Sequence, residues 1–166
     1  KLERGVVVTS ITSLMHQLPP RQYISANSLD LAVGQSVSIA EMRAQMLLAG
    51  YQVVEAVMEH GEFAVRGSII DIFPMGTELP LRIDLFDDVI DSIRRFDPET
   101  QRSAAQVKEI RLLPGREYPM DETGITQFRG RFRELFDVDL RQCPIYQDVS
   151  SGLSSPGLEY YLNVFF

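Results

Sequence analysis

The 166 residues include one cysteine, no tryptophan, two histidines and, among 16 basic side chains, only two lysines, Lys1 and Lys108. Each scarcity removes a class of function. Cys143 alone forms no intrachain disulfide, which suits a reducing compartment and an expected cytoplasmic location. It leaves no multi-cysteine zinc set, and with only His16 and His60 a zinc site would need carboxylates to complete its ligands. His16 reads as part of a short helix's packing. No histidine follows His60, so Cys143-Pro144 gives little support for a thiol nucleophile. No run of about 18 apolar residues is present, so no membrane-spanning helix is expected, and no signal-peptide pattern is found. The phosphate loop G-x-x-x-x-G-K followed by Ser or Thr is missing, so no cradle for ATP is expected. The net charge of −7, without clustered Lys and Arg, argues against gripping a nucleic-acid backbone and favours a protein partner with a basic face.

What the chain does contain is globular: 45% hydrophobic and 23% charged residues, without repeats or low-complexity tracts. Its length suits one domain, or a small domain with pieces of another. Starting at Lys1 without methionine and ending on Val164-Phe165-Phe166, it is expected to be a piece of something longer.

Residues 61–103 organise the rest. They read as four strands, 63–66, 68–73, 81–86 and 89–96, separated at Gly67, at Pro74-Met75-Gly76 and at Asp87-Asp88, and closed by Asp97-Pro98. Upstream, residues 6–10 predict a buried β-branched strand, and Ser10 caps a helix over 11–17 that Pro19-Pro20 ends. Residues 21–27 read as a connector and 29–33 as an edge strand. Ser38-Ile39-Ala40-Glu41 is a capping box opening a helix to Ala49, with Ile39, Met42, Met46 and Leu47 on its apolar spacing and Gly50 as its stop. Residues 51–58 and 107–113 predict two more strands. Asp121 caps a helix to about Phe136 with an apolar stripe of Ile125, Phe128, Phe132 and Leu135. Arg129, Arg131 and Arg133 lie off that stripe as a solvated face. The tail from Asp137 reads as loop. The class is therefore α+β: an antiparallel sheet built from residues 51–113, packed by the helix after Ser38 and flanked by partial α/β segments.

The alternation over 81–86 puts Leu81, Ile83 and Leu85 on one face and Arg82, Asp84 and Phe86 on the other. Two readings stand. A cation, an anion and an aromatic ring on one face have the composition of an interface hot spot. Alternatively, Phe86 is tucked under a loop and Arg82 pairs locally with Asp84. A further reading takes Asp71, Asp84, Asp87, Asp88 and Asp91 as a carboxylate set for Mg²⁺ in a nuclease. No lysine lies between Lys1 and Lys108, and His60 is alone in this region, so that site would lack a residue to handle the attacking water.

GEFAVRGSIIDIFP, followed by LRIDLFDDVIDSIRRFDPETQ, resembles the UvrB-homology module shared by the bacterial excision-repair helicases and the transcription-repair coupling factors. Glu59-His60-Gly61-Glu62 before the motif, LLPGREYP from Leu112 after it, and the closing Gly157-Leu158-Glu159-Tyr160 and Phe165-Phe166 side with the coupling-factor branch. The resemblance covers nearly the whole chain. It implies a non-catalytic module, with no cofactor, metal or catalytic residue of its own, that binds UvrA, the damage-recognition ATPase of nucleotide excision repair. The implied contacts are Arg66, Arg82 and Phe86, with Asp84 at a position that is also acidic in UvrB, and truncating each contact is expected to weaken binding without unfolding. Ala64 departs from UvrB, where a second arginine is usual. Asp71 is expected to be structural, bonding a neighbouring turn. The implied layout is a segment of a helicase-like domain over 1–24, the UvrA-binding domain over 25–117, and a returning segment over 118–166. Other domains of the longer protein, an ATP-dependent DNA translocase, would meet RNA polymerase and DNA, and a C-terminal domain would mask the surface.

Overall fold

Residues 5, 6 and 8–166 are described by a computed structural model. Val6, Val8, Thr9 and Ser10 do not form the expected strand, and Val7 lies outside the described residues. Val6 and Val8 are exposed, and among the described residues no neighbouring strand offers them a ladder, without which β-branched residues have no pleated surface to pack on. Ser10 does cap a helix: its hydroxyl accepts from the Ser13 N–H at 3.2 Å at the start of α1 (Ile11–Met15). His16 is exposed, with its ring 5.1 Å from that of Tyr160.

The residues expected as a connector instead form α2 (Arg21–Ala26). Its end is closed by side chains: Asn27 Nδ2 donates to the Tyr23 carbonyl at 2.9 Å and Ser28 Oγ to the Ile24 carbonyl at 2.6 Å. These bonds occupy carbonyls that a helix end leaves open. Next come β1 (Leu29–Ala32) and α3 (Ile39–Leu48). The Ser38 hydroxyl accepts from the Glu41 N–H, and Gly50 follows at φ 93°. Met42 and Met46 are buried, whereas Leu47 is exposed although its spacing fits the stripe.

Six strands form the main sheet in chain order: β2 (Gln52–Val53), β3 (Glu62–Arg66), β4 (Ile69–Ile72), β5 (Leu81–Phe86), β6 (Val89–Phe96) and β7 (Ser103–Val107). All neighbours are antiparallel except β2 and β3, which run parallel. The two-residue hairpin turns each place a positive φ at their first position, Gly67 at 61° and Asp87 at 52°; glycine and aspartate tolerate this conformation better than most residues. The strand expected over 51–58 is only two residues long. Val57 turns away and buries with Ala64, Phe73 and Phe96, so the chain leaves the ladder to cover part of the sheet's second face. The strand expected over 107–113 is also divided. Val107 ends β7, and β8 (Glu109–Leu112) pairs with β1 in a separate two-stranded sheet, where the Lys108 carbonyl accepts from the Val33 N–H. Ile70, Ile83 and Ile93 line the first face of the main sheet, and Met42, Met46, Leu31 and Leu112 pack into the same core. The α+β class holds.

Contacts group Arg21–Arg116 as one unit and the residues up to Pro20 with Glu117–Phe166 as another. The described residues of the second unit are helical and turn structure without strands, which corrects the α/β expectation for the flanks. Its α4 (Glu122–Leu135) starts at Asp121, whose carboxylate accepts from the Gly124 N–H at 2.8 Å. Phe128 and Phe132 are buried, while Leu135 is exposed. The tail expected as loop forms α5 (Pro144–Ser150) and α6 (Leu162–Phe165), with 3₁₀ turns at Leu140–Gln142 and Leu158–Tyr161. Pro144 sits in the first turn of α5, where its missing N–H costs nothing, and Tyr146, Val149 and Phe165 complete the aromatic core. The off-stripe arginines do not only meet solvent: Arg133 Nε donates to the Tyr146 hydroxyl at 2.8 Å, Arg131 Nη1 donates to the Asn163 carbonyl at 3.0 Å, and Arg129 also interacts with the Tyr146 hydroxyl.

The two glycines of α4 make opposite predictions. A Cβ at Gly130 meets nothing within 4 Å, so Gly130→Ala is expected to stabilise by about 0.8 kcal/mol through helix propensity. A Cβ at Gly124 would lie 2.5 Å from the Pro119 carbonyl oxygen, so Gly124→Ala is expected to destabilise by roughly 1–3 kcal/mol despite the same propensity. Thermal melting compares the two variants: an unlowered melting temperature for Gly124→Ala would refute the close approach, and a lowered one for Gly130→Ala would refute the open position.

Candidate partner-binding site

The second face of the main sheet carries the residues of interest. Register places Asp71 of β4 between Ala64 of β3 and Arg82 of β5, and places Ile69 between Arg66 and Asp84 in the next row. Arg82 and Phe86 lie on this face of β5, two alternations apart, or about 13 Å along the strand. Arg66 lies on β3, separated from β5 by β4. It is linked to Arg82 through Asp71.

Asp71 is completely buried, and its carboxylate is held by guanidinium groups. Arg82 Nε donates to Oδ1 at 2.7 Å and Arg82 Nη2 to Oδ2 at 2.9 Å, a forked pair, while Arg66 Nη2 donates to Oδ2 from the other side. The turn-bonding role expected for Asp71 is therefore replaced by a cross-strand clamp. The pairing of Arg82 with Asp84 is also not formed: Asp84 accepts from the Ser92 hydroxyl at 2.9 Å. Arg82 is further enclosed by the ring of Phe96, 4.7 Å from the guanidinium carbon, and by the carbonyl and side-chain oxygens of Gln101, each at 3.3 Å. The hydrogen bonds to Asp71 raise the Arg82 pKa against the lowering effect of burial, and the charges of Asp71 and Asp84 raise it further. Its side chain is 18% exposed, against 51% for Arg66. Phe86 is 74% exposed and lies under no loop.

The surface available to a partner on this face thus includes Arg66 and Phe86, with Asp84 half-buried between them and Arg82 largely spent on Asp71. Ala64 is buried with Val57, Phe73 and Phe96, so this position is core rather than surface. Sequence reasoning missed the clamp. The available signal was an acidic residue inside the apolar run Ile69-Ile70-Asp71-Ile72, since a carboxylate in a central strand needs a cation to offset its burial. Among the described residues no three His, Cys, Asp or Glu side chains converge as a metal site, and no helix is long and apolar enough to cross a membrane.

Residues 29–118 match the family described as the UvrB interaction domain. Over 166 residues, 99% of its length, the chain is 46% identical to the transcription-repair-coupling factor of Haemophilus influenzae. It is 43% identical over 165 residues to that of Escherichia coli, and 33% identical over 135 residues to that of Staphylococcus aureus. The chain spans only 14% of the first two relatives and 12% of the third. The matched region is an interaction domain. With more than half of its residues matched, the chain belongs to the UvrB interaction domain family.

Proposed function

We propose that this chain is the module through which a cytoplasmic transcription-repair-coupling factor recruits UvrA, by protein contact and without a cofactor. In this reading RNA polymerase and DNA are met by other domains of the longer protein. The observation that carries it is the sheet face itself. An exposed aromatic ring, Phe86, shares a face with a half-exposed arginine, Arg66, tied to a buried carboxylate, in a domain of an interaction family. Phe86 supplies an apolar anchor and Arg66 a charge-assisted contact to a partner carboxylate. Against the nuclease reading, one of its five carboxylates is already engaged, since both oxygens of Asp71 accept hydrogen bonds from arginines.

Titration of the chain with purified UvrA and with duplex DNA, each with and without Mg²⁺, tests the proposal. Saturable UvrA binding independent of Mg²⁺ is expected, with weak or no DNA binding and no ATPase or nuclease turnover. Tight DNA binding that falls steeply as salt rises would count phosphate contacts and overturn the proposal in favour of a nucleic-acid domain. Nuclease turnover abolished by Asp71→Asn or Asp84→Asn would instead establish an enzyme.

A further inference from the structure

We infer that Asp71 is a positioning residue for the partner contact, acting only through Arg66. The inference rests on the UvrA-binding reading of this face. Asp71 has no exposed surface, so it cannot touch a partner itself. Its orientation is nonetheless fixed from within the domain: Arg82 grips both carboxylate oxygens, and Phe96 and Gln101 hold Arg82. The carboxylate therefore has little rotational freedom, and Oδ2 remains aimed at β3.

Arg66 meets that oxygen with Nη2, whereas its Nε and Nη1 have no acceptor among the described residues. Ala64 makes the reach possible. It stands directly opposite Asp71, and its small side chain leaves the diagonal from Arg66, two residues on, unobstructed. A long side chain at a strand end samples many rotamers, and immobilising it on binding costs affinity. Asp71 removes much of that cost by holding one corner of the guanidinium while other donors stay free for an acidic group on the partner. Without the carboxylate, Arg66 and Arg82 would be like charges facing one site, and Arg66 would swing away.

A double-mutant cycle tests this by calorimetric titration of purified UvrA into the 166-residue chain, comparing wild type, Arg66→Ala, Asp71→Asn and the double variant. Asp71→Asn is expected to weaken binding about tenfold in the wild-type background and to cause no further loss in the Arg66→Ala background. A purely structural role would give the same loss in both backgrounds, or a lower melting temperature with unchanged affinity, and either result overturns the inference. Should Asp71→Asn not fold, Arg82→Lys serves instead: it keeps a cation beside the carboxylate but gives up the fork that orients it, and the same dependence on Arg66 is expected. Equal losses from Arg82→Lys in both backgrounds overturn the inference. If wild type does not bind UvrA, or Arg66→Ala binds as wild type does, the interface falls and the inference with it. If Arg66→Ala weakens binding and Asp71→Asn does not, the inference alone falls.

Discussion

Arg82→Ala is expected to destabilise the chain by about 3 kcal/mol, because breaking a buried ion pair leaves a carboxylate desolvated without its main counter-charge. Asp71 has no exposed surface and takes a forked pair of hydrogen bonds from Arg82. After truncation only Arg66 remains, reaching in from a side chain that is half in solvent. The stacking of the Arg82 guanidinium on Phe96 is lost as well. By contrast, Arg66→Ala leaves the fork intact and is expected to cost about 1 kcal/mol or less, as for other partly exposed pairs. Urea unfolding followed by circular dichroism compares them; without tryptophan the chain has no indole fluorescence to follow. Equal midpoints for wild type and Arg82→Ala would show that the clamp adds nothing to stability. Replacing Asp71 and Arg82 together by apolar residues of similar volume is expected to recover most of the loss, since the penalty comes from the orphaned charge. This revises the sequence-based expectation for Arg82, whose truncation now acts on the fold before it acts on binding.

For Phe86→Ala the expectation is the reverse: UvrA affinity falls about thirtyfold, roughly 2 kcal/mol, while stability changes by less than about 0.5 kcal/mol. At 74% exposure the ring fills no core volume, so its removal leaves no cavity. Its strand neighbours Leu85 and Ile83 point into the opposite face and are untouched by the change. Arg129→Ala, on α4 of the other unit, is the control and is expected to bind as wild type does. Unaltered binding by folded Phe86→Ala would remove this face from the interface. Unfolding of Phe86→Ala would mean that the ring is core after all.

Much of this geometry was legible along the chain because it depends on near neighbours. The alternation from Leu81 to Phe86 sorts side chains to two faces by the two-residue period of a strand, and the observed burial follows it. Ser38 and Asp121 announce helix starts because a capping side chain reaches only two or three residues ahead. Where local pattern met a competing tertiary demand, it misled. Residues 51–58 have a strand's composition, yet Val57 is recruited to cover Ala64, Phe73 and Phe96. The tail after Asp137 has a loop's composition, yet Tyr146, Val149 and Phe165 are drawn into helices against Phe128 and Phe132.

The sequence by itself determined the α+β class and the strand-and-turn order from Phe63 to Phe96, since propensity, turn chemistry and period all act over a few residues, but it left Phe86 between an exposed ring and one tucked under a loop until the structure showed it 74% exposed. Only the tertiary structure decided what Asp71 does. Its partners lie five positions upstream and eleven downstream, on different strands, and the register of β3, β4 and β5 brings them to one carboxylate. No local periodicity encodes that meeting. The pairing arises because a charge buried in the middle of a sheet must find its counter-charge across the ladder, and register determines which residues stand there.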